Sequence, residues 1–411
     1  MIKFTPENKS KVTSTPKEIC ITLTNNEFKT SSKIKMYLDD KKVHSKFAKN
    51  KIYYSPKKKL PAGSHNVKII IVDNNREYVI QWQFYIDIKK SKHNNYNFYL
   101  GNPHSHTSYS TGKGTPSEAF KYAFKKNLDF LIITDHSSRF RNTSKWEDTK
   151  KETDNFNKNY NKFLALRGFE VTSNRFGHFN VLGTNGYYRK IKDFNSFTNW
   201  LYKEDTKTIV CINHPHKYIE SLDYNPHLDK FINFIEVGNG DLNNKYLKGE
   251  KYYYKLLDKG WHLGAINGQD NHKHNWGDSD NLTVVISKSL KTDDFMEALE
   301  ERRTYSSESR TLNLSFKANN YWMGSIIPIN KKINFNIKIE DKKNPINKIE
   351  LISNDAKIIN SKKISKKKKA KWDFSLNYKK NKWYVIKVIY ENGFCGISSP
   401  IFTKTENNPV F

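Results

Sequence analysis

The sequence predicts an α/β fold: β-strand–α-helix units over residues 96–310, set between two small all-β sandwiches at 1–95 and 311–411. Three observations lead there. Both flanks alternate apolar and polar residues at period two and carry few helical signals. The middle alternates strand-length apolar runs with amphipathic helical stretches, the pattern of repeated βα units. The 411 residues, at about 150 per domain, make room for two or three domains.

In the first flank, residues 19–23, 33–38, 67–72 and 78–86 read as strands of a small Ig-like sandwich. In the middle, 130–134, 163–167, 208–212 and 234–237 read as strands, and 116–124, 250–257 and 293–301 as helices. Thr115 precedes Pro116 and is followed three residues on by Glu118, a capping box with proline at the first helical position. Helical connections between successive strands imply a parallel sheet or barrel. From 311 the alternation returns at 312–316, 333–339, 372–376 and 383–389. A lysine run at 361–369 belongs at an edge or loop, where lysine blocks strand addition.

Composition narrows the function classes. Mean hydropathy is −0.81, yet 36% hydrophobic and 14% aromatic residues supply packed cores. No apolar run approaches the ~20 residues of a membrane helix. No apolar stretch near Met1 could serve as a signal peptide, so a cytoplasmic location is the default, with an exported or cell-surface one as the alternative. The net charge of +29 is mostly lysine and reads as a solvated coat or, alternatively, a docking face for an anionic polymer or membrane. No RRM, KH, zinc-finger or helix-turn-helix pattern supports a nucleic-acid partner. Cys20, Cys211 and Cys395 have neither disulfide nor zinc-site spacing, and Cys211 sits in a strand-like apolar run.

The chemistry concentrates just after the central strands. His104 and His106 face one side of an extended segment, since positions i and i+2 do. Asp135-His136, Glu170, His178, His214 and Asp270-Asn271-His272 each stand beside a predicted strand. A lone histidine there is usually an ordinary surface or core residue. Five strand ends delivering His, Asp or Glu together point to a metal centre. Imidazole and carboxylate without thiolate fit Zn, Mn or Fe. Neither a G-x-S-x-G elbow nor a Cys/His pair offers a side-chain nucleophile, which leaves a metal-bound hydroxide for the attack.

These motifs resemble the PHP (polymerase and histidinol phosphatase) superfamily. The resemblance rests on Pro103-His104-Ser105-His106, Thr134-Asp135-His136, Gly168-Phe169-Glu170, Gly177-His178, Asn213-His214-Pro215 and Gln269-Asp270-Asn271-His272, in that order. Ile235-Glu236-Val237-Gly238 and Gly260-Trp261-His262 resemble the CehA/McbA-like branch, metallohydrolases often drawn from bacteria. The resemblance implies a distorted seven-stranded βα barrel holding two or three divalent ions. His104, His106, Glu170 and Asp270 would hold the first; Glu170, bridging, His178 and His214 the second; His136 and His272 a third. One departure stands out: Ser110-Thr111-Gly112 replaces a context in which relatives place Asp or His, and threonine is a poor ligand.

Around this set, Asp135 and Glu236 are expected to orient ligands, and Arg139 and His216 to touch substrate. The expected activity is hydrolysis of a phosphomonoester or phosphodiester, so the partner is an anionic, phosphorylated substrate. A carboxylester or amide hydrolase, or a metal-holding binding module with little turnover, is the alternative.

Overall fold

The computed structural model describes residues 2–12, 15–23, 33–48, 50–57, 60, 63–73, 76–86, 96–141, 143–204 and 207–403. The chain divides into two compact units, one over Met1–His93 and one over Asn94–Glu406.

In the first unit, Ile2–Thr5, Ile19–Leu23, Lys51–Tyr54 and Lys46–Ala48 form a four-stranded sheet. Ser10–Val12, Arg76–Ile86, Gly63–Asp73, Lys33–Leu38 and Lys41–Val43 form a five-stranded one. Alternating side chains of both, among them Ile21, Ile52, Met36, Ile69, Trp82 and Phe84, meet in one core.

The second unit carries the ligating motifs. Its strands are β1 (Asn97–Asn102), β2 (Phe130–Ile133), β3 (Leu164–Ser173), β4 (Gly177–Leu182), β5 (Ile209–Ile212), β6 (Ile232–Gly240), β7 (Tyr246–Lys248), β8 (Gly264–Gly268), β9 (Leu282–Ser287) and β10 (Thr304–Ser307). Helix α1 (Pro116–Lys125) links β1 to β2 and α2 (Lys145–Asn159) links β2 to β3, and both strand pairs are parallel. Both halves of the Thr115–Glu118 capping box form at α1. α3 (Phe194–Lys203), α4 (Glu250–Asp258) and α5 (Thr292–Glu300) complete five α-helices among the described residues, none long and apolar enough to cross a membrane.

The expected α/β class with its seven-stranded βα barrel is corrected here. Strands dominate, and they form one curled, 16-stranded mixed sheet. Its order is β7-β6-β5-β4-β3-β2-β1-β9-β10, continuing into Cys395–Ser398, Trp383–Tyr390, Ile346–Ser353 and Lys357–Lys367. Two physical causes are visible. The β3–β4 connection is a tight hairpin, so β3, β4 and β5 run antiparallel where a βα barrel needs parallel neighbours. The strand β8 pairs in the ladder only with β6, and hydroxyls stand where a closing strand would be. Asn267 N donates to Thr283 Oγ1 (2.8 Å), Ala265 N to Ser399 Oγ (3.1 Å), and Thr304 Oγ1 to the Ala265 carbonyl (3.0 Å). Side chains thus satisfy the backbone of β8, as a buried strand requires.

Beyond β10, Leu312–Ala318, Lys332–Asp341 and Lys369–Asn377, with Tyr321–Trp322, make a separate four-stranded sheet that shares a core with the end of the large one. Residues 361–367 of the lysine run lie in Lys357–Lys367, the outermost strand of the large sheet, and Lys369 opens Lys369–Asn377 of the separate one. Asp341, fully buried, pins this region. It accepts hydrogen bonds from Ser309 Oγ and Thr311 Oγ1 (both 2.6 Å), Tyr390 OH (2.7 Å), Asn344 N (2.8 Å) and Lys343 N (2.9 Å).

Burial opposes the charge on Asp341, but these donors outweigh it and hold its carboxyl below the usual range. Its stabilising contribution is therefore complete above the ordinary aspartate pKa of about 4 and is lost as pH falls through the lower folded value. Asp341→Ala leaves several buried donors unpaired and should cost about 3 kcal/mol, read as a loss of thermal stability at neutral pH. Acid titration of stability should show the gap between wild type and variant closing at low pH. A gap that persists unchanged there would contradict the ionised form.

Candidate metal centre

The sequence brings the ligating residues together through strand register. Ser105 points away from the site, its Oγ donating to the Ile132 carbonyl (2.8 Å), so His104 and His106 turn the other way together. Glu170 lies inside β3 opposite Asn180, and His178 is two residues before Asn180 on the same face of β4, a diagonal neighbour. His136, just past β2, bridges to Glu170. His214 and Asp270 follow β5 and β8 in left-handed backbone, at φ 27° and 52°. Such conformations cost about 1–2 kcal/mol and persist where the surroundings fix them.

Glu170 is the centre of the cluster. Its Oε1 lies 3.1 Å from His178 Nδ1, 3.2 Å from His214 Nε2 and 3.5 Å from His104 Nε2, and accepts a hydrogen bond from Asn213 Nδ2 (2.9 Å). Its Oε2 lies 3.0 Å from His136 Nδ1 and 3.3 Å from His106 Nε2. Asp270 Oδ1 stands 3.0 Å from His106 Nε2 and 3.3 Å from His104 Nε2. Four overlapping triads have ligand atoms within 4.8 Å of one another: His104/His106/Asp270, His104/Glu170/His214, His136/Glu170/His178 and His106/His136/His272. All eight residues expected to ligate fall within these triads.

The surroundings prepare the rings to ligate. Glu236, fully buried, accepts from His104 Nδ1 (2.8 Å), which leaves the lone pair of the neutral ring on Nε2. His272 Nδ1 donates to the Asp270 carbonyl (2.9 Å) with the same effect. Ser110 Oγ lies 3.4 Å from His106 Nδ1 and donates to Asp135, which also accepts from Thr107 N (2.8 Å) and Thr107 Oγ1 (2.5 Å). Gly268 leaves room for Glu236: a Cβ there would collide with the carboxylate and meet His104 Cβ at 2.8 Å.

Electrostatics favour cations. Burial opposes protonation of His104, but Glu236, Asp270 and Glu170 raise its pKa well above the usual imidazole value. Burial likewise opposes His106, yet Asp270 and Glu170 push it up to about 9. Burial would raise the Glu170 carboxyl, but His104, His106 and His136 hold it well below the usual range. A field that holds protons on buried imidazoles also attracts a divalent ion. The fit is direct: Glu170 Oε2 is buried without a hydrogen-bond partner while two imidazole nitrogens face it. The N/O donor set suits Zn, Mn or Fe.

Other expected residues stand apart from the ligand atoms. Arg139 is exposed on the turn after His136, and Thr111 is exposed and belongs to none of the triads. His216 caps the turn Lys217–Ser221, accepting from Tyr218 N (3.4 Å), and packs against Gly177. Sequence reasoning missed Asn213, Ser110 and Asn239, which donates to Glu236 Oε2 (2.8 Å). Asn213 directly precedes His214, the one signal available.

No family model and no curated protein matches the chain. Among solved structures it is similar to a two-domain protein of Bacteroides vulgatus that contains a predicted PHP-like metal-dependent phosphoesterase. That likeness has 17% identity, covers 71% of this chain and 91% of that one, and has a TM-score of 0.44. CopC of Methylosinus trichosporium covers 23% of this chain and 100% of its own at 16% identity and TM-score 0.18. PcoC, a copper resistance protein of Escherichia coli, covers 21% and 96% at 19% identity and TM-score 0.18. With TM-scores this low, none of these likenesses bears on function, which rests on this chain's own side chains.

Glu170→Gln should lower bound divalent metal more than any change at a residue outside the triads, because it removes the only carboxylate of two triads at once. Glu236→Gln, which frees the His104 ring without removing a ligand, should cost about 10–100-fold in metal affinity. Metal content after desalting and calorimetric titration measure both. Equal retention by Glu170→Gln and wild type would rule out a shared carboxylate.

Proposed function

We propose that the second unit is a metal-dependent hydrolase of PHP type, acting on a phosphate ester. The observation that carries this reading is the buried Glu170 carboxylate with imidazoles converging on both of its oxygens. Two or three divalent ions would supply an acidified water and electrophilic stabilisation of a phosphoryl oxygen. His104, His106, Glu170 and Asp270 would hold one ion, and Glu170, His178 and His214 a second. His106, His136 and His272 would hold a third.

The protein's own residues divide the remaining work. Glu236 and Asp135 orient His104 and, through Ser110, His106. Arg139 and His216, beyond the ligand atoms, would meet the anionic substrate. The CehA/McbA-like motifs favour that branch and keep a carboxylester or amide substrate open. The segments 1–95 and 311–411 would act as β-sandwich domains that give no ligand to the centre.

Release of nitrophenol from phosphomonoester, phosphodiester and carboxylester substrates, with and without added Zn or Mn, tests the reading. Phosphoester turnover should require metal and fall about 100-fold or more in Glu170→Gln. Metal binding without turnover of any ester would favour a binding module instead.

The triad His106/His136/His272 has no carboxylate, so its ion should leave first under mild chelation. Release of all ions in one step would show that another residue completes that position.

A further inference from the structure

Three loops meet at one end of the C-terminal strands. Asn354 Nδ2 donates to the Asn381 carbonyl (3.4 Å), Ser353 Oγ to the Trp383 carbonyl (2.7 Å), and Tyr378 N to the Lys331 carbonyl (3.1 Å). These bonds gather residues 328–332, 354–359 and 378–382. Large apolar side chains with substantial exposure are few in the described chain, and three are here: Ile329 at 55%, Ile358 at 53% and Ile359 at 43%.

The two adjacent isoleucines arise from a register shift. Ile358 pairs with Ile352 and Asn360 with Leu351, so Ile359 is the extra residue of a β-bulge. Both neighbours are therefore solvent-exposed where regular alternation would bury one. They sit on Lys357–Lys367, the outermost strand of the sheet. Edge protection calls for charge on such a strand and disfavours exposed aliphatics, so it does not explain them.

The same three loops are rich in lysine: Lys331, Lys332, Lys357, Lys379, Lys380 and Lys382 lie in or beside them. The one carboxylate within these loops is Asp355, 3.0 Å from Lys357 Nζ, and Asp258 of α4 lies against them, accepting from Asp355 N (3.1 Å) and Trp383 Nε1 (2.9 Å), so lysine still outnumbers carboxylate here. Exposed aliphatic side chains in lysine-rich loops match an anionic bilayer, where the aliphatics enter the acyl boundary and the ammonium groups meet lipid phosphates. A second copy of this chain would bring the same lysines and be repelled. A nucleic acid would use the lysines but gain nothing from the isoleucines.

We propose that this end of the C-terminal strands is a docking face for an anionic phospholipid surface. The full chain should cosediment with vesicles of phosphatidylcholine containing about 30 mol% phosphatidylglycerol, and not with pure phosphatidylcholine. Ile358→Ser with Ile359→Ser should lower partitioning about tenfold without changing ester hydrolysis. Lys331→Gln with Lys332→Gln and Lys379→Gln should do the same. Removing three lysines on α1 and α2 (Lys121→Gln, Lys125→Gln, Lys158→Gln) should change it less than about twofold. Three results would each overturn the proposal. One is no association with anionic vesicles. Another is an equal loss in the helix-lysine control, which would assign binding to the general lysine coat. The third is binding that survives both isoleucine substitutions and is displaced by a thymidine oligonucleotide, which would assign the face to nucleic acid.

Discussion

A carboxylate with 1% of its side chain exposed cannot keep its charge without compensation, and Glu170 has it from five imidazoles within 3.5 Å. Much of the second unit's geometry depends on that arrangement. His104 and His106 must leave one strand on the same side, His178 must sit diagonal to Glu170 across a hairpin, and His214 must bend back in left-handed backbone. If any of these positions slips, a buried charge loses partners, at several kcal/mol. The cluster is thus a structural liability that bound metal would convert into a source of stability.

The second layer shows how far that constraint reaches. Glu236 reaches His104 only because Gly268 leaves space, and it also accepts the His214 backbone N–H (2.5 Å) and the Asn239 amide. Trp276, buried beneath the site, donates its indole N–H to the His106 carbonyl (3.1 Å). Each of these groups fixes a ligand indirectly, so ring orientation is set before any ion arrives. Pre-organisation of this kind is what a metal centre built on these side chains would need.

Strand existence and the His/Asp/Glu motifs that cluster in the fold were legible because both are local. Alternation at 19–23, 333–339 and 383–389 reports one buried face, and the Thr115–Glu118 box needs only four residues to form. Histidines two apart, or beside a strand end, advertise themselves in the same way. The hairpin that places His178 against Glu170 was less visible, since Ser173–Gly177 gives a turn signal but not the register it enforces. Asn213, Ser110 and Asn239 were invisible as site residues because their partners lie 43, 4 and 3 positions away in directions that only the fold defines.

What the sequence by itself determined is the set of side chains that cluster: six histidines and two carboxylates with no thiolate, spaced so that extended strands deliver them. What only the tertiary structure decided is the architecture that gathers them. Alternating apolar runs and helical stretches imply βα units, yet they cannot say whether neighbouring strands run parallel, or whether a sheet closes on itself. Those outcomes depend on long-range pairing. Here they were set by the β3–β4 hairpin and by Thr283, Thr304 and Ser399, whose hydroxyls satisfy the backbone of β8 and leave the sheet curled and open. Ligand identity is written residue by residue. Sheet closure is settled by competition among backbone partners far apart in the chain.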